Sequence, residues 1–198
     1  VETTEAGGGL QVFVLGKTVC PIPDAKPNSK LETFPRQLET HPMSRPYEEI
    51  LNGGTLPRSA PGDRHEAICA RLHREMATSI AGLASVQLLA PRTPVQLART
   101  TTFCPDLALV MAATGKLFLA AEIISRDDHR ADTVTKKEIY EQHRVPRLWM
   151  VDPRYDNVEI YHSFDFGLKL HGILAGSEIL QEKLVPQFKL TMKELFAA

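Results

Sequence analysis

A chain of 198 residues, 43% of them hydrophobic, can bury one sizeable core, and a second full domain is not expected. Its 23 lysines and arginines against 24 acids leave a net charge of -1, which excludes a general electrostatic pull onto nucleic acid; any such contact needs a local patch. Cys20, Cys69 and Cys104 form no CxxC pair, which argues against a disulfide framework, and no apolar run approaches the roughly 20 residues of a membrane span, so a soluble cytoplasmic protein is expected.

Residues 1–46 carry Gly7-Gly8-Gly9 and prolines at 21, 23, 27, 35, 42 and 46, which predicts an extended arm ahead of a single domain over 47–198. Within the arm, Leu10 to Leu15 is β-prone and suits addition to a sheet edge. Tyr47 to Leu51 and Thr55 to Arg58 flank Asn52-Gly53, a pair that supplies the positive φ angles of a tight hairpin. Asp63 followed by Glu66 looks like a capping box opening a helix, whose apolar stripe runs through Ile68, Leu72, Met76, Ile80 and Leu83 until Gly82. His65 falls on that stripe, and Glu66 lies about a quarter turn to its side. Short strands are expected over Ser85 to Leu89 and Val95 to Ala98.

The next stretch holds the chemistry. Two apolar runs, Cys104 to Met111 and Leu117 to Ile124, each carry a carboxylate, Asp106 and Glu122, where a core strand has no reason to hold one. Burying an ionised carboxylate costs several kcal/mol unless a cation, a metal or hydrogen-bond donors offset it. The intervening Ala112 to Lys116 contains Gly115 and is short enough for a hairpin, so the strands should pair antiparallel with both acids near one end of the sheet. A helix follows from Asp132, a candidate N-cap or first-turn residue, to Val145 before Pro146. Asp132, Lys136, Tyr140 and His143 share one face of it, which turns Lys136 toward the sheet, whereas Lys137 points a quarter turn away.

Beyond it, Leu148 to Val151 reads as a buried strand, Asp152-Pro153 as a turn, Val158 to Tyr161 and Phe166 to Leu174 as further strands, and Met192 to Phe196 as a final helical turn. Core packing and hairpin pairing account for most of Trp149, Tyr155, Tyr161, Phe164 and Phe166 better than a base-stacking surface does, since basic residues do not interleave them densely. Between Arg126 and Arg147, six lysines and arginines alternate with five acids, the pattern of a solvated face.

The proline before Asp106, Glu122 in AEIIS, Lys136 in DTVTKKEIY and the following VPRLWMVDP together resemble the PD-(D/E)xK nuclease superfamily, and within it the Uma2 family of restriction endonucleases. The resemblance spans Tyr47 to Phe196 and includes the opening hairpin, Ser125 after the second acid, and a lysine four residues ahead of a tyrosine. It implies an α/β, restriction-endonuclease-like fold: a mixed central sheet flanked by helices, with N-terminal and C-terminal β-hairpin additions. It further implies an endonuclease that hydrolyses DNA phosphodiester bonds, with Asp106, Glu122 and Lys136 catalytic and Asp106 and Glu122 holding Mg2+, for which Mn2+ could substitute. His65 or Glu66 would complete the site, with Ser125, Lys137 and Tyr140 as further candidates, and a homodimer would act on DNA. The chain departs from the pattern twice. Ile124 stands where the superfamily's (D/E)xK has its lysine, so that lysine must come from the helix, and Arg126-Asp127-Asp128 puts acids where the family often has a proline after its serine.

Two rival functions stay open on the residues alone. A binding or assembly module that kept the fold and lost catalysis suits the acidic segment from Arg126 to His129 and the near-zero charge. A zinc protein would use Cys104, His65 and His129, though no compact ligand pair supports it.

Overall fold

The structure, a computed structural model, describes residues 45–126 and 131–197. The expected arm, its β-prone segment, the acidic residues Asp127 and Asp128, and His129 therefore lie outside the described residues, apart from Arg45 and Pro46 of the arm. Asn52 and Gly53 adopt φ angles of 49° and 83°, and this left-handed pair closes β1 (Tyr47–Leu51) onto β2 (Gly54–Arg58) as its sequence requires. Next comes α1 (Asp63–Ser79), which ends three residues before Gly82. The expected capping box does not form. Gly62 is the N-cap and contributes no side-chain bond. Glu66 instead faces Arg92, a charge-assisted partner stronger than a solvent-exposed cap.

Three short strands follow, β3 (Val86–Leu88), β4 (Val95–Ala98) and β5 (Thr101–Phe103), the last absent from the sequence expectations because it follows the polar Arg99-Thr100 with no apolar alternation of its own. Then come β6 (Leu107–Met111) and β7 (Leu117–Ile123), antiparallel as expected, with Leu107 opposite Ala121. Strand β6 begins after Pro105, which cannot donate to a ladder. The segment after β7 opens as a π-helical turn, Ala131–Lys136, that runs directly into α2 (Lys137–Gln142). Asp132 is no cap: its buried carboxylate accepts from the Ser125 N–H at 3.0 Å and pairs with Arg58.

The chain then returns through β8 (Arg147–Asp152), parallel to β7, and the hairpin of β9 (Asn157–Phe164) with β10 (Gly167–Ala175). A second hairpin, β11 (Ile179–Glu182) with β12 (Val185–Thr191), precedes α3 (Met192–Leu195), where Thr191 and Glu194 do form a capping box. The central sheet runs β10-β9-β8-β7-β6-β3, mixed because β7 and β8 alone among its pairs are parallel. That pair needs a crossover, which the π turn and α2 supply.

Alternation along β7 and β8 divides the core in two. Leu119, Ala121, Ile123, Trp149 and Val151 face α1, α3 and the β11–β12 hairpin, with Ile68, Leu72, Met76, Phe188 and Leu195 opposite them. Ala120, Ile124, Leu148 and Met150 face the other layer, which is built from Val95, Leu97 and Phe103 of a four-stranded sheet ordered β2-β1-β5-β4 together with Ile139 and Tyr140 of α2. Trp149 stacks on Phe188 at 5.6 Å and Tyr161 is buried, as packing predicts. Tyr155, Phe164 and Phe166 are 70%, 54% and 101% exposed, so packing does not account for these three. Among the described residues no helix is long and apolar enough to cross a membrane.

Candidate active site

Asp106 immediately precedes β6 and, continuing the ladder, stands opposite Glu122 on β7 at one end of the central sheet. Both carboxylates are buried. Asp106 Oδ2 accepts from the Ile123 N–H at 2.9 Å, and Oδ1 meets His65 Nε2 at 2.8 Å and Arg92 Nη1 at 3.2 Å. Its main-chain carbonyl accepts from His73 Nε2 at 2.6 Å. Burial alone would raise this carboxyl, but the His65 hydrogen bond, the Ile123 N–H and the Lys136 charge outweigh it and hold Asp106 below the usual aspartate range.

Glu122 is held differently. The π turn and α2 place Lys136 and Tyr140 four residues apart on one face, and both reach it: Lys136 Nζ lies 2.7 Å from Oε2, and the Tyr140 hydroxyl donates to Oε1 at 2.5 Å. Burial, with Glu49 and Asp106 nearby, nevertheless pushes the Glu122 carboxyl up to about 8, against the pull of Lys136. Burial would lower Lys136, but Glu122, Glu49 and Asp132 surround its ammonium and hold it above the ordinary lysine range. The ammonium also lies 5.4 Å from the centre of the Phe103 ring.

A third acid in this group, Glu49 on β1, was not among the residues singled out in the sequence. Its Oε1 accepts from Lys136 Nζ at 2.8 Å and from the Cys104 N–H at 2.8 Å, while Oε2 lies 3.5 Å from Arg58 Nε. Arg58 on β2 pairs in turn with Asp132, so the hairpin closes over the cluster. The available signal was the one used for Glu122: a carboxylate in register with Tyr47 and Leu51 on a strand.

The remaining candidates separate clearly. His65 touches Asp106, whereas Glu66 touches Arg92, whose Nη2 donates to both of its oxygens at 2.7 and 2.9 Å. Lys137 lies over the Tyr161 ring at 4.0 Å, away from the acids. Ser125 enters through its backbone N–H to Asp132. Asp152 is buried and accepts from the Arg154 N–H at 2.9 Å and from its guanidinium, a turn role as expected. Cys104 is a free buried cysteine whose thiol is pushed up to about 11 by burial and Glu49; of its expected zinc partners, His65 faces Asp106 and His129 lies outside the described residues. Among the described residues no three His, Cys, Asp or Glu side chains converge as a metal cage.

The donor set still fits a hard cation in part. Asp106 is held anionic, while burial pushes Glu122 up, so an ion bound between them would take the place of the Glu122 proton. Two carboxylates of this kind suit Mg2+, which binds through one or two of them and keeps much of its water.

A family model described as Uma2, "Putative restriction endonuclease", matches residues 31–193. The fold is similar to the crystal structure of a putative nuclease belonging to DUF820 from Anabaena variabilis. The two share 14% identity at a TM-score of 0.65, over 79% of this chain and 93% of that one, a likeness of fold alone. Among curated proteins the chain has no match.

Proposed function

The chain belongs to the Uma2 family, and from that membership together with the buried acid cluster we propose that it is a divalent-metal-dependent endonuclease hydrolysing DNA phosphodiester bonds. The observation that carries this is the cross-strand pair Asp106 and Glu122, with Lys136 locked onto the second acid. Asp106, held anionic, and Glu122 would hold Mg2+ or Mn2+; when bound, such an ion polarises a phosphate oxygen and lowers the pKa of an attacking water. Lys136 keeps a fixed positive charge beside the acids, suited to offset charge developing on the phosphate. The Tyr140 hydroxyl fixes the Glu122 carboxyl from the other side, and Glu49 fixes the ammonium. His65 Nε2 bears on Asp106 Oδ1 and sets its orientation. The proposed setting is the cytoplasm, and the acting species a homodimer.

Plasmid nicking in Mg2+ or Mn2+ tests the assignment: the wild type should nick, and Asp106→Asn and Lys136→Met should each lose at least ~100-fold in rate, as removal of one preorganised charge does. A second assignment has its own support. Lys136 is 0% and Glu122 2% exposed at the side chain, and every oxygen of Asp106 and Glu122 already faces a donor or cation within the chain. A nuclease-fold binding module without catalysis would look the same. Metal binding by calorimetry without any nicking would favour that module.

A further inference from the structure

The acid cluster is closed on one side and open on the other. The side chains of Glu49, Glu122, Asp132 and Lys136 are each 2% exposed or less, whereas those of His65, Glu66 and Arg92 are 12%, 30% and 21% exposed. Of the side chains that touch the Asp106 carboxylate, His65 and Arg92 are therefore the ones that reach solvent, with Glu66 beside Arg92. Arg92 is the permanent cation among them.

Its placement is not incidental. Arg92 sits at φ 56°, a left-handed conformation uncommon for a residue with a side chain, and its N–H donates to the Pro105 carbonyl at 2.9 Å. The turn is thereby tied to the residue before Asp106, and the guanidinium is carried over the carboxylate. The fork is held unequally. Nη2 makes the two short contacts to Glu66, at 2.7 and 2.9 Å, while Nη1 makes the longer one to Asp106 Oδ1, at 3.2 Å. A planar guanidinium anchored through one nitrogen, with the other loosely engaged, can turn that second nitrogen to a phosphate oxygen, which accepts a charge-assisted hydrogen bond as a carboxylate does.

We propose that Arg92 grips the substrate phosphodiester at the mouth of the site, Glu66 orienting the guanidinium while Nη1 exchanges its Asp106 contact for a non-bridging phosphate oxygen. This rests on the nuclease assignment above. It makes Glu66 a positioning residue for Arg92 and leaves Asp106 free of one internal partner once DNA is bound. No bond is made or broken in the exchange.

Fluorescence anisotropy of the full chain with a labelled duplex oligonucleotide, titrated with KCl in Ca2+ and again in EDTA, tests it. Arg92→Gln should weaken binding about tenfold and make the slope of log K against log salt shallower by about 0.9, the loss of one phosphate contact. Arg92→Lys keeps the charge and loses the fork, and should keep the slope while binding severalfold more weakly. A merely structural Arg92 would move the melting temperature and leave the slope alone. The proposal falls if Arg92→Gln retains wild-type affinity or slope, or, should that variant not fold, if Arg92→Lys binds as the wild type does. Wild-type protein that binds no DNA at all would remove the nuclease assignment, and Arg92's role with it.

Discussion

Glu122 lies between Lys136, Tyr140 and the neighbouring acids, and its burial has a consequence for stability that is independent of catalysis. The folded carboxyl releases its proton near 8, against a reference of 4.5, so between those values the folded chain binds a proton that the unfolded chain does not. Stability due to this group is therefore full below 4.5 and declines as pH rises through 8. The lowered His73, His143 and His162 act in the opposite sense, but only below 6.5, where unfolded histidine charges. Glu122→Gln should thus shrink the fall in melting temperature between pH 6.5 and 9 by roughly 3–6 °C, taking ~1–2 kcal/mol of linkage to survive relaxation. Thermal melts that fall in parallel for wild type and variant would refute the shift. Glu122 and Lys136 were legible in the sequence because an acid inside an apolar run demands a partner. Glu49 was not, since in Tyr47 to Leu51 the apolar Ile50 competes for the inner face. Ile50 is 44% exposed and Glu49 1% exposed, the reverse of what hydrophobicity alone assigns.

The hairpins differ in how far local sequence decides them. Asn52-Gly53 announced β1–β2 by backbone chemistry, and α1, β6, β7 and β8 followed from period and length. The β11–β12 hairpin did not, because Pro186 and a register shift at Gln181/Glu182 interrupt its alternation; only packing of Leu180, Val185, Phe188 and Leu190 against the sheet reveals it. The π turn was equally hidden, since its sequence differs little from that of an ordinary helix start and the buried pairs of Asp132 and Lys136 hold it. Two glycines separate turn geometry from packing. Gly53, at φ 83°, would meet nothing within 4 Å if it gained a Cβ, whereas Gly167, at φ 125°, would place that Cβ 1.8 Å from Glu141 Oε1. The same Oε1 accepts from the Leu168 N–H at 3.2 Å. Gly53→Ala should cost about 1 kcal/mol and Gly167→Ala about 2–3 kcal/mol in urea unfolding, the second adding a displaced hydrogen bond to the strain. Equal costs would mean that Glu141 moves aside freely.

At the scale of the whole molecule, a net charge of -1 provides little self-repulsion, so association depends on which surfaces remain unsatisfied. Of the eight exposed large hydrophobics among the described residues, Phe164, Phe166, Leu170 and Ile173 belong to the β9–β10 hairpin and its turn. Strand β10 is also an outer strand of the central sheet and is nine residues long, whereas β3 at the opposite edge has three. A long edge with apolar side chains is a template for further strand pairing, and a second copy related by a two-fold axis presents the same edge antiparallel to it. Lys169 and the register shift between Leu170 and Gly172 restrain the pairing without removing the apolar side chains that would be covered. Sedimentation velocity at tens of micromolar should therefore show a dimer. Ile173→Lys combined with Phe166→Ser should shift it to monomer by at least ~10-fold in dissociation constant, with the melting temperature of dilute protein changed by no more than about 2 °C, because both side chains are exposed in the single chain. Wild-type protein that sediments as a monomer throughout, or a variant that stays dimeric, would show that the β10 edge is satisfied by something other than a second copy.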